Sequence, residues 1–334
     1  MANASDNRCA GTTIVTGASG FVGGHVMDRL IDSGRSVRGL SRSIPVRRKH
    51  ADLTDQVDLL DRVGLLHSVR RHAPSEIVHL GARTDFFERE DRVAWTVNTQ
   101  GTRNLLAAAA EAGRPIRLIF VSSFVVERRA EAAERGSESR LDYVGSKLEG
   151  ERIVRADAGR SGPWCIVRPA TVWGPGQRGP SLGFFRAVSA GRYFHPGRPD
   201  PPKRLSYVGN LAFQIERLLD APADRIAGRT FYLADYDLTT NRKWAEAICR
   251  RLEIASPRTL PGPLVRLAAW FGDALRAAGV TDPPMTSRRL ANMRKDTSWV
   301  PIEELREITG PRLPYTLEQG VACTLESMAA PRGT

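Results

Sequence analysis

Residues 141–151, "LDYVGSKLEGE", set Tyr143 and Lys147 four positions apart in a stretch of helical periodicity. Residues at i and i+4 share one helix face, so a phenol and an ammonium placed this way can interact. A tyrosine beside a cation is suited to giving and taking a proton, because the positive charge favours the phenolate. The same spacing fits two surface side chains, and spacing alone leaves both readings open.

A second cluster points to an anion. "TGASGFVGGH" puts Gly17, Gly20 and Gly23 after a run of β character and at the start of a helix. Glycines there permit a tight turn, let the backbone approach a pyrophosphate and bring helix and strand close together, while the helix N-terminus offers unpaired amides. About twenty residues on, where an acidic side chain often meets a ribose hydroxyl, the chain carries Ser41 and Arg42, with Arg47, Arg48 and Lys49 behind them. A carboxylate would repel a 2′-phosphate, whereas a hydroxyl and a guanidinium bind it. NADP(H) is therefore favoured, with NAD(H) as the alternative.

These residues need a scaffold, and the pattern supplies one. Short apolar runs ("TTIVTG", "SVRGLS", "EIVHLGA", "RLIFVSS", "WCIVRPATV") alternate with helical segments, which predicts βαβ units and a doubly wound, Rossmann-type parallel sheet. Residues 1–172 are expected to form this α/β domain. Residues 173–334 are expected to form a smaller α/β substrate-binding region, with 203–222 returning to the first domain. "PLVRLAAWFGDALRAAG" has apolar residues at helical spacing and is expected to pack on the substrate region; a membrane-surface helix is the alternative.

Composition narrows the function. The 334 residues are 41% hydrophobic and 26% charged, enough for a substantial core. No run of about 18 apolar residues is present, which argues against a transmembrane helix. The start of the chain lacks the apolar stretch of a secretory signal, and a cytoplasmic protein with no membrane partner is expected. Cys9, Cys165, Cys249 and Cys323 are isolated, so neither a metal site nor a disulfide framework is expected. The net charge of +12 is spread over helices and loops without an aromatic-interleaved basic repeat, so no nucleic-acid partner is expected.

The order of "TGASGFVGGH", "ADLTD", "VHLGA", "NTQGTRNLL", "FVSSFVV", "YVGSK", "RPATVWGPGQ" and "YVGNLA" resembles the extended short-chain dehydrogenase/reductase family, in its nucleotide-sugar epimerase, reductase and dehydratase branch. The resemblance runs from residue 12 to about 320. It implies a catalytic trio of Ser123, Tyr143 and Lys147. It also implies cofactor contacts from Gly17, Ser19, Gly20, Phe21, Val22 and Gly23, from Ser41 and Arg42, from Asp52 and Leu53 against adenine, from Leu80, Gly81, Ala82 and Asn98, and from Pro169, Ala170 and Thr171 beside the nicotinamide. For Asn98 a helix-start cap is the alternative. Substrate contacts implied in the same way are Thr84, Ser123, Phe124, Trp173, Arg178, Lys203, Arg204 and Arg288, the cations meeting a diphosphate.

Dehydratases of this branch carry an Asp-Glu pair after the active-site hydroxyl residue, where this chain has Phe124 and Val125, which argues against sugar dehydration. The resemblance then implies a reductase of a keto group, such as C4 of a nucleotide-linked deoxy sugar, with a 4-epimerase retaining NAD as the alternative. Glu127 and Arg128 replace the usual Tyr-Gly, Thr171 an asparagine and Trp299 a lysine. These departures leave room for apolar carbonyls of steroid or flavonoid type. A non-catalytic NADP-sensing scaffold is the remaining alternative, and relatives imply a homodimer.

Overall fold

The computed structural model describes residues 11–44, 48–84, 95–127, 142–157, 159–280, 283 and 285–330. Among these, β1 (Thr12–Thr16), β2 (Ser36–Ser41), β3 (Thr54–Gln56), β4 (Pro74–His79), β5 (Arg117–Val121), β6 (Trp164–Pro169) and β9 (Thr230–Leu233) form a seven-stranded sheet in the order β3-β2-β1-β4-β5-β6-β9. Every pairing in it is parallel. Such a sheet is covered on both faces, and its strands accordingly read as apolar runs: Ile14, Val15, Val78, Ile119, Ile166 and Val167 are at most 1% exposed. A Val or Ile buried this completely contributes about 1.5–3 kcal/mol.

The crossovers supply the helices: α1 (Phe21–Asp32), the single turn α2 (Arg48–Ala51), α3 (Arg62–His72), α4 (Thr96–Ala110) and α5 (Tyr143–Ala156). One face of the sheet closes on a cluster joining Ile14, Leu40 and Ile77 to Leu65, Val69, Leu105 and Val154 of α3, α4 and α5. Strand order reverses between β1 and β4, and in such sheets ligands bind outside the carboxyl ends of the strands near that switch. A hollow lined by Pro115, Pro163, Trp164 and Gly228 lies instead by the amino ends of β5, β6 and β9. It is therefore remote from that edge.

Beyond β6 come β7 (Thr171–Trp173), α6 (Pro180–Ser189), β8 (Leu205–Tyr207), α7 (Val208–Asp220), α8 (Ala223–Ile226), α9 (Asn241–Leu252), α10 (Gly262–Ala277), α11 (Ser287–Met293), α12 (Glu303–Thr309) and α13 (Leu317–Ala329). The chain divides into two compact units. The first comprises residues 1–170, 208–233 and 301–312; the second comprises 171–207, 234–300 and 313–334. The returning segment thus starts at Val208, after β8 has paired with β7, and not at residue 203. The return of residues 301–312 was not foreseen, because its ties are long-range: Arg229 meets Glu304 at 3.0 Å, and α12 packs on α7.

Within the first unit α7 packs against α1. Arg29 bonds Glu216 at 2.6 Å, and Arg35 bridges Glu76 and Asp220 at 2.7 and 2.5 Å. In the second unit α9 packs on α6 and α13, while α10 leans on α11 through Val265, Ala269 and Leu290 and leaves its other side exposed. The helix thus packs on another element of the second unit, through one face only.

Candidate active site

The turn after β1 is built for close approach. Gly17 has φ +71°, and a Cβ there would stand 2.9 Å from the backbone of Gly81. A Cβ on Gly23 would lie 2.1 Å from the Gly17 carbonyl oxygen. Gly20 is the N-cap of α1 and offers no side-chain cap, so the first-turn amides of α1 keep the donors that an intrahelical ladder cannot use. Phe21 and Val22 follow as half-buried residues of that turn. Thr16 supports the arrangement: its hydroxyl accepts from the Gly81 amide at 2.9 Å and meets His79 Nδ1 at 2.7 Å. His79 also reaches Thr102 at 3.2 Å. Burial, reinforced by the charge of Lys147, lowers its pKa to about 3 and keeps the ring neutral. Leu80, Gly81 and Ala82 leave the end of β4 beside this turn, so a dinucleotide fits the cradle.

At the end of β2 the Ser19 hydroxyl hydrogen bonds to Ser41 and lies 3.1 Å from Ser43, with Arg42 exposed beside them. Arg47 falls outside the described residues, and Lys49 is drawn to Asp28 at 2.6 Å. The adenine assignment needs correction. Asp52 and Leu53 precede β3, at the amino end of the strand, away from the ligand edge. Asp58 and Leu59, which follow β3, occupy the carboxyl end instead. Leu59 is buried against Gly81 and Gly101. The chain repeats the Asp-Leu pair, and only the strand boundary distinguishes the copies.

Ser123 follows β5 in an extended conformation, ahead of a single 3-10 turn, Phe124–Val126. The Asp142 side chain caps α5 by accepting from the Gly145 amide at 2.9 Å, making Tyr143 the first helical residue and putting Lys147 one turn later. Tyr143 is 8% exposed and Lys147 6%. Ser123 stands beside the Tyr143 phenol and favours its ionised form. Lys147 Nζ donates to the Val121 carbonyl oxygen at 2.9 Å and lies over the Phe120 ring. The three side chains therefore meet at the carboxyl end of β5.

Burial opposes the expected favouring of the phenolate. It pushes Tyr143 up to about 12, against the effect of Ser123. Burial also lowers Lys147 to about 8, while the Glu151 carboxylate acts the other way. Glu151, one turn further along α5, is fully buried and held by Arg168 and Arg155. Burial would raise its carboxyl, yet the hydrogen bonds and charge of Arg168, together with Arg155, hold it below the ordinary value.

Asn98 is neither a helix cap nor a side chain open to a ligand. It sits inside α4, where its carboxamide accepts from the Arg83 amide at 2.7 Å and donates to the Arg83 carbonyl at 3.0 Å and to Ser146 Oγ at 2.8 Å. Ser146 in turn donates to the Tyr143 carbonyl at 2.8 Å. Asn98 thus ties the loop after β4 to the start of α5. Thr84 is exposed at the end of that loop. Pro169 closes β6, Ala170 donates its amide to the Leu233 carbonyl at 2.9 Å, and Thr171 opens β7 exposed.

In the second unit several expected substrate contacts are committed elsewhere. Trp173 is fully buried, with ring centroids 5.0 Å from Tyr207, 5.3 Å from Trp244 and 5.9 Å from Phe185, so it does not stack on a ligand. Lys203 Nζ donates to the carbonyls of Lys295 at 2.6 Å and Asn292 at 3.3 Å. Arg204 donates to the carbonyls of Asp235 and Tyr236. Both cations satisfy chain ends of their own unit. Arg178 and Arg288 are exposed.

A family model described as NAD dependent epimerase/dehydratase family matches residues 13–191. The chain is 26% identical to a 3-beta-hydroxysteroid dehydrogenase of Mycolicibacterium neoaurum, over 91% of each chain. It is likewise 26% identical to the N-acetyl-alpha-D-glucosaminyl-diphospho-ditrans,octacis-undecaprenol 4-epimerase of Escherichia coli O157:H7, over 94% of each. The solved UDP-N-acetylglucosamine 4-epimerase of Bacillus cereus superposes with a TM-score of 0.69 at 18% identity, covering 97% of this chain and 98% of that one.

Proposed function

The chain belongs to the NAD dependent epimerase/dehydratase family, and from that premise we propose that it is an NADP(H)-dependent oxidoreductase that interconverts a bulky apolar ketone and its secondary alcohol. The observation that carries this reading is Ser123 beside the Tyr143 phenol, with Lys147 one turn further along the same helix. When bound, the dinucleotide supplies the hydride that reaches the carbonyl carbon. Ser123 holds the carbonyl oxygen, and Tyr143 delivers its phenolic proton to that oxygen, giving the alcohol. A phenol at about 12 stays protonated at neutral pH, ready to donate. Bringing it from there to neutrality corresponds to about 7 kcal/mol of differential stabilisation of the phenolate. The Lys147 ammonium and the positive charge on the oxidised nicotinamide are the groups available to supply it.

The cradle residues Gly17, Gly20 and Gly23 would hold the pyrophosphate. Ser41 and Arg42, with Ser19 and Ser43 alongside, would hold the 2′-phosphate, which no carboxylate opposes at that position.

An apolar substrate is favoured over a nucleotide sugar because Lys203 and Arg204 are engaged with backbone carbonyls and Trp173 belongs to a core, which removes much of the diphosphate and base recognition. The Mycolicibacterium neoaurum relative, whose name specifies a steroid, supports the same choice. The second reading, a 4-epimerase with retained NAD, is supported by the sugar-nucleotide epimerase fold. Purification without added nucleotide, followed by denaturation and identification of released dinucleotide, separates the two. Little bound NAD, with NADPH consumption on alicyclic ketones, supports the reductase; near-stoichiometric NAD and activity on a UDP-sugar overturn it.

A further inference from the structure

α10 is packed on one side only. Val265 and Ala269, helped by Leu260, close on Leu290 and Met285. The opposite side carries Leu264, Leu267, Trp270 and Phe271 at 53%, 61%, 68% and 60% exposure. At about 100° per residue, Leu264, Leu267 and Phe271 fall on one stripe with Trp270 at its border. Isolated exposed apolar side chains are ordinary, but four on one helix face, two of them large aromatics, form a surface that water does not favour.

The charges around it have one sign in excess. Arg266, next to Trp270 around the helix, is exposed, whereas Arg276 continues the packed row of Val265, Ala269 and Gly272, and Arg288 and Arg289 stand on α11, which covers that row. Within α10 the acid is Asp273, whose carboxylate accepts from the Ser287 amide at 3.2 Å. The chain as a whole carries +12. A helix of this length spans roughly 24 Å, shorter than the roughly 30 Å hydrocarbon layer, so it would lie in a surface and not cross it. An apolar face bearing Trp, Phe and Leu, bordered by Arg266 on a chain of net charge +12, has the chemistry of an interfacial helix on anionic lipid. A second copy of this chain would instead bring the same net positive charge to the face, where like charges repel.

We propose that the exposed face of α10 docks the protein on the surface of an anionic lipid bilayer, with Leu264, Leu267, Trp270 and Phe271 entering the interface and Arg266 at the level of the headgroups. This proposal runs against the expectation of no membrane partner. Delivery of a membrane-dissolved ketone would rest on the apolar-substrate reading above; docking itself does not.

The test uses the full chain, without cofactor or substrate, floated with vesicles of equal parts phosphatidylglycerol and phosphatidylcholine and with vesicles of phosphatidylcholine alone. The wild type is expected to float with the anionic vesicles, less with the neutral ones, and less as salt rises. Trp270→Gln with Phe271→Gln is expected to weaken partitioning roughly tenfold or more, through the lost apolar burial. These side chains are exposed, so the melting temperature should hold; Leu264→Gln with Leu267→Gln repeats the test if it does not. Absence of flotation with anionic vesicles, flotation unchanged by both double variants, or a double variant that only turns a larger assembly into a monomer overturns the proposal. Ketone turnover, assayed separately in vesicle-free buffer, fails or succeeds independently of these outcomes.

Discussion

Arg168 on β6 grips the fully buried carboxylate of Glu151 on α5 with two hydrogen bonds, Nε to Oε1 at 2.9 Å and Nη2 to Oε2 at 2.8 Å. The same guanidinium also bonds Glu127 and donates to Tyr232 Oη at 2.9 Å, and that phenol donates to Glu127 at 2.6 Å. One cation thus binds the helix of Tyr143 and Lys147 to β6, to β9 and to the residue that follows the Ser123 turn. Glu127 is absorbed into this network.

Removing one partner of a buried pair leaves the other charge uncompensated. Arg168→Met is expected to destabilise the protein by about 3–5 kcal/mol in urea unfolding at neutral pH. The Glu151 carboxyl lies below its ordinary 4.5 in the folded chain, so its stabilisation is present above that value and is lost as pH falls through the lowered pKa. Wild-type stability should therefore drop in acid, and the variant should lack that part of the drop.

Lys147 titrates near 8, its ammonium favoured by Glu151 against burial. The cation is present below that pH and lost above it. Accordingly kcat/KM for ketone reduction is expected to decline as pH rises past about 8. Glu151→Gln removes the favouring charge and should move the inflection to lower pH, whereas an unmoved inflection would detach Glu151 from Lys147.

Trp173 offers a direct comparison between core and ligand roles. As the centre of the cluster with Phe185, Tyr207 and Trp244, its replacement by Ala is expected to cost about 3–5 kcal/mol of stability. Trp173→Phe should leave KM near that of the wild type. A stable Trp173→Ala protein with a raised KM would return Trp173 to the substrate.

For the cofactor, Ser41→Asp with Arg42→Ala puts a carboxylate where a 2′-phosphate is expected. Charge-assisted hydrogen bonds contribute about 1.5–3 kcal/mol, so the ratio of NADPH to NADH affinity should fall at least tenfold by fluorescence titration. An unchanged ratio would remove Arg42 from cofactor choice.

What was legible in the chain was what local spacing fixes. Gly17, Gly20 and Gly23 needed only a strand before them and a helix after. The shared helix face of Tyr143 and Lys147 needed only helical periodicity, whereas their catalytic role came from the resemblance. Alternating apolar runs were enough for the parallel sheet, because strands buried on both faces must be apolar. The misreadings arose where a distant partner decides. Asp52 and Leu53 read as adenine contacts because the same dipeptide flanks both ends of β3 and only the strand boundary shows which copy stands at its carboxyl end. Lys203 and Arg204 read as anion ligands because the carbonyls they bind lie some ninety and thirty residues away. Asn98 read as a cap or a ligand contact because its partners, Arg83 and Ser146, come from two other elements. For α10, periodicity announced an apolar helix without telling which faces would be covered.

The central claim is that Tyr143 delivers the proton to the substrate oxygen. It is tested by Tyr143→Phe, which keeps the ring and removes the hydroxyl. NADPH affinity and wild-type turnover on the best ketone from the screen provide the reference. The account predicts a fall in kcat of roughly a hundredfold to ten-thousandfold with NADPH affinity nearly unchanged. Turnover within a few-fold of the wild type, with the cofactor bound as before, would contradict it.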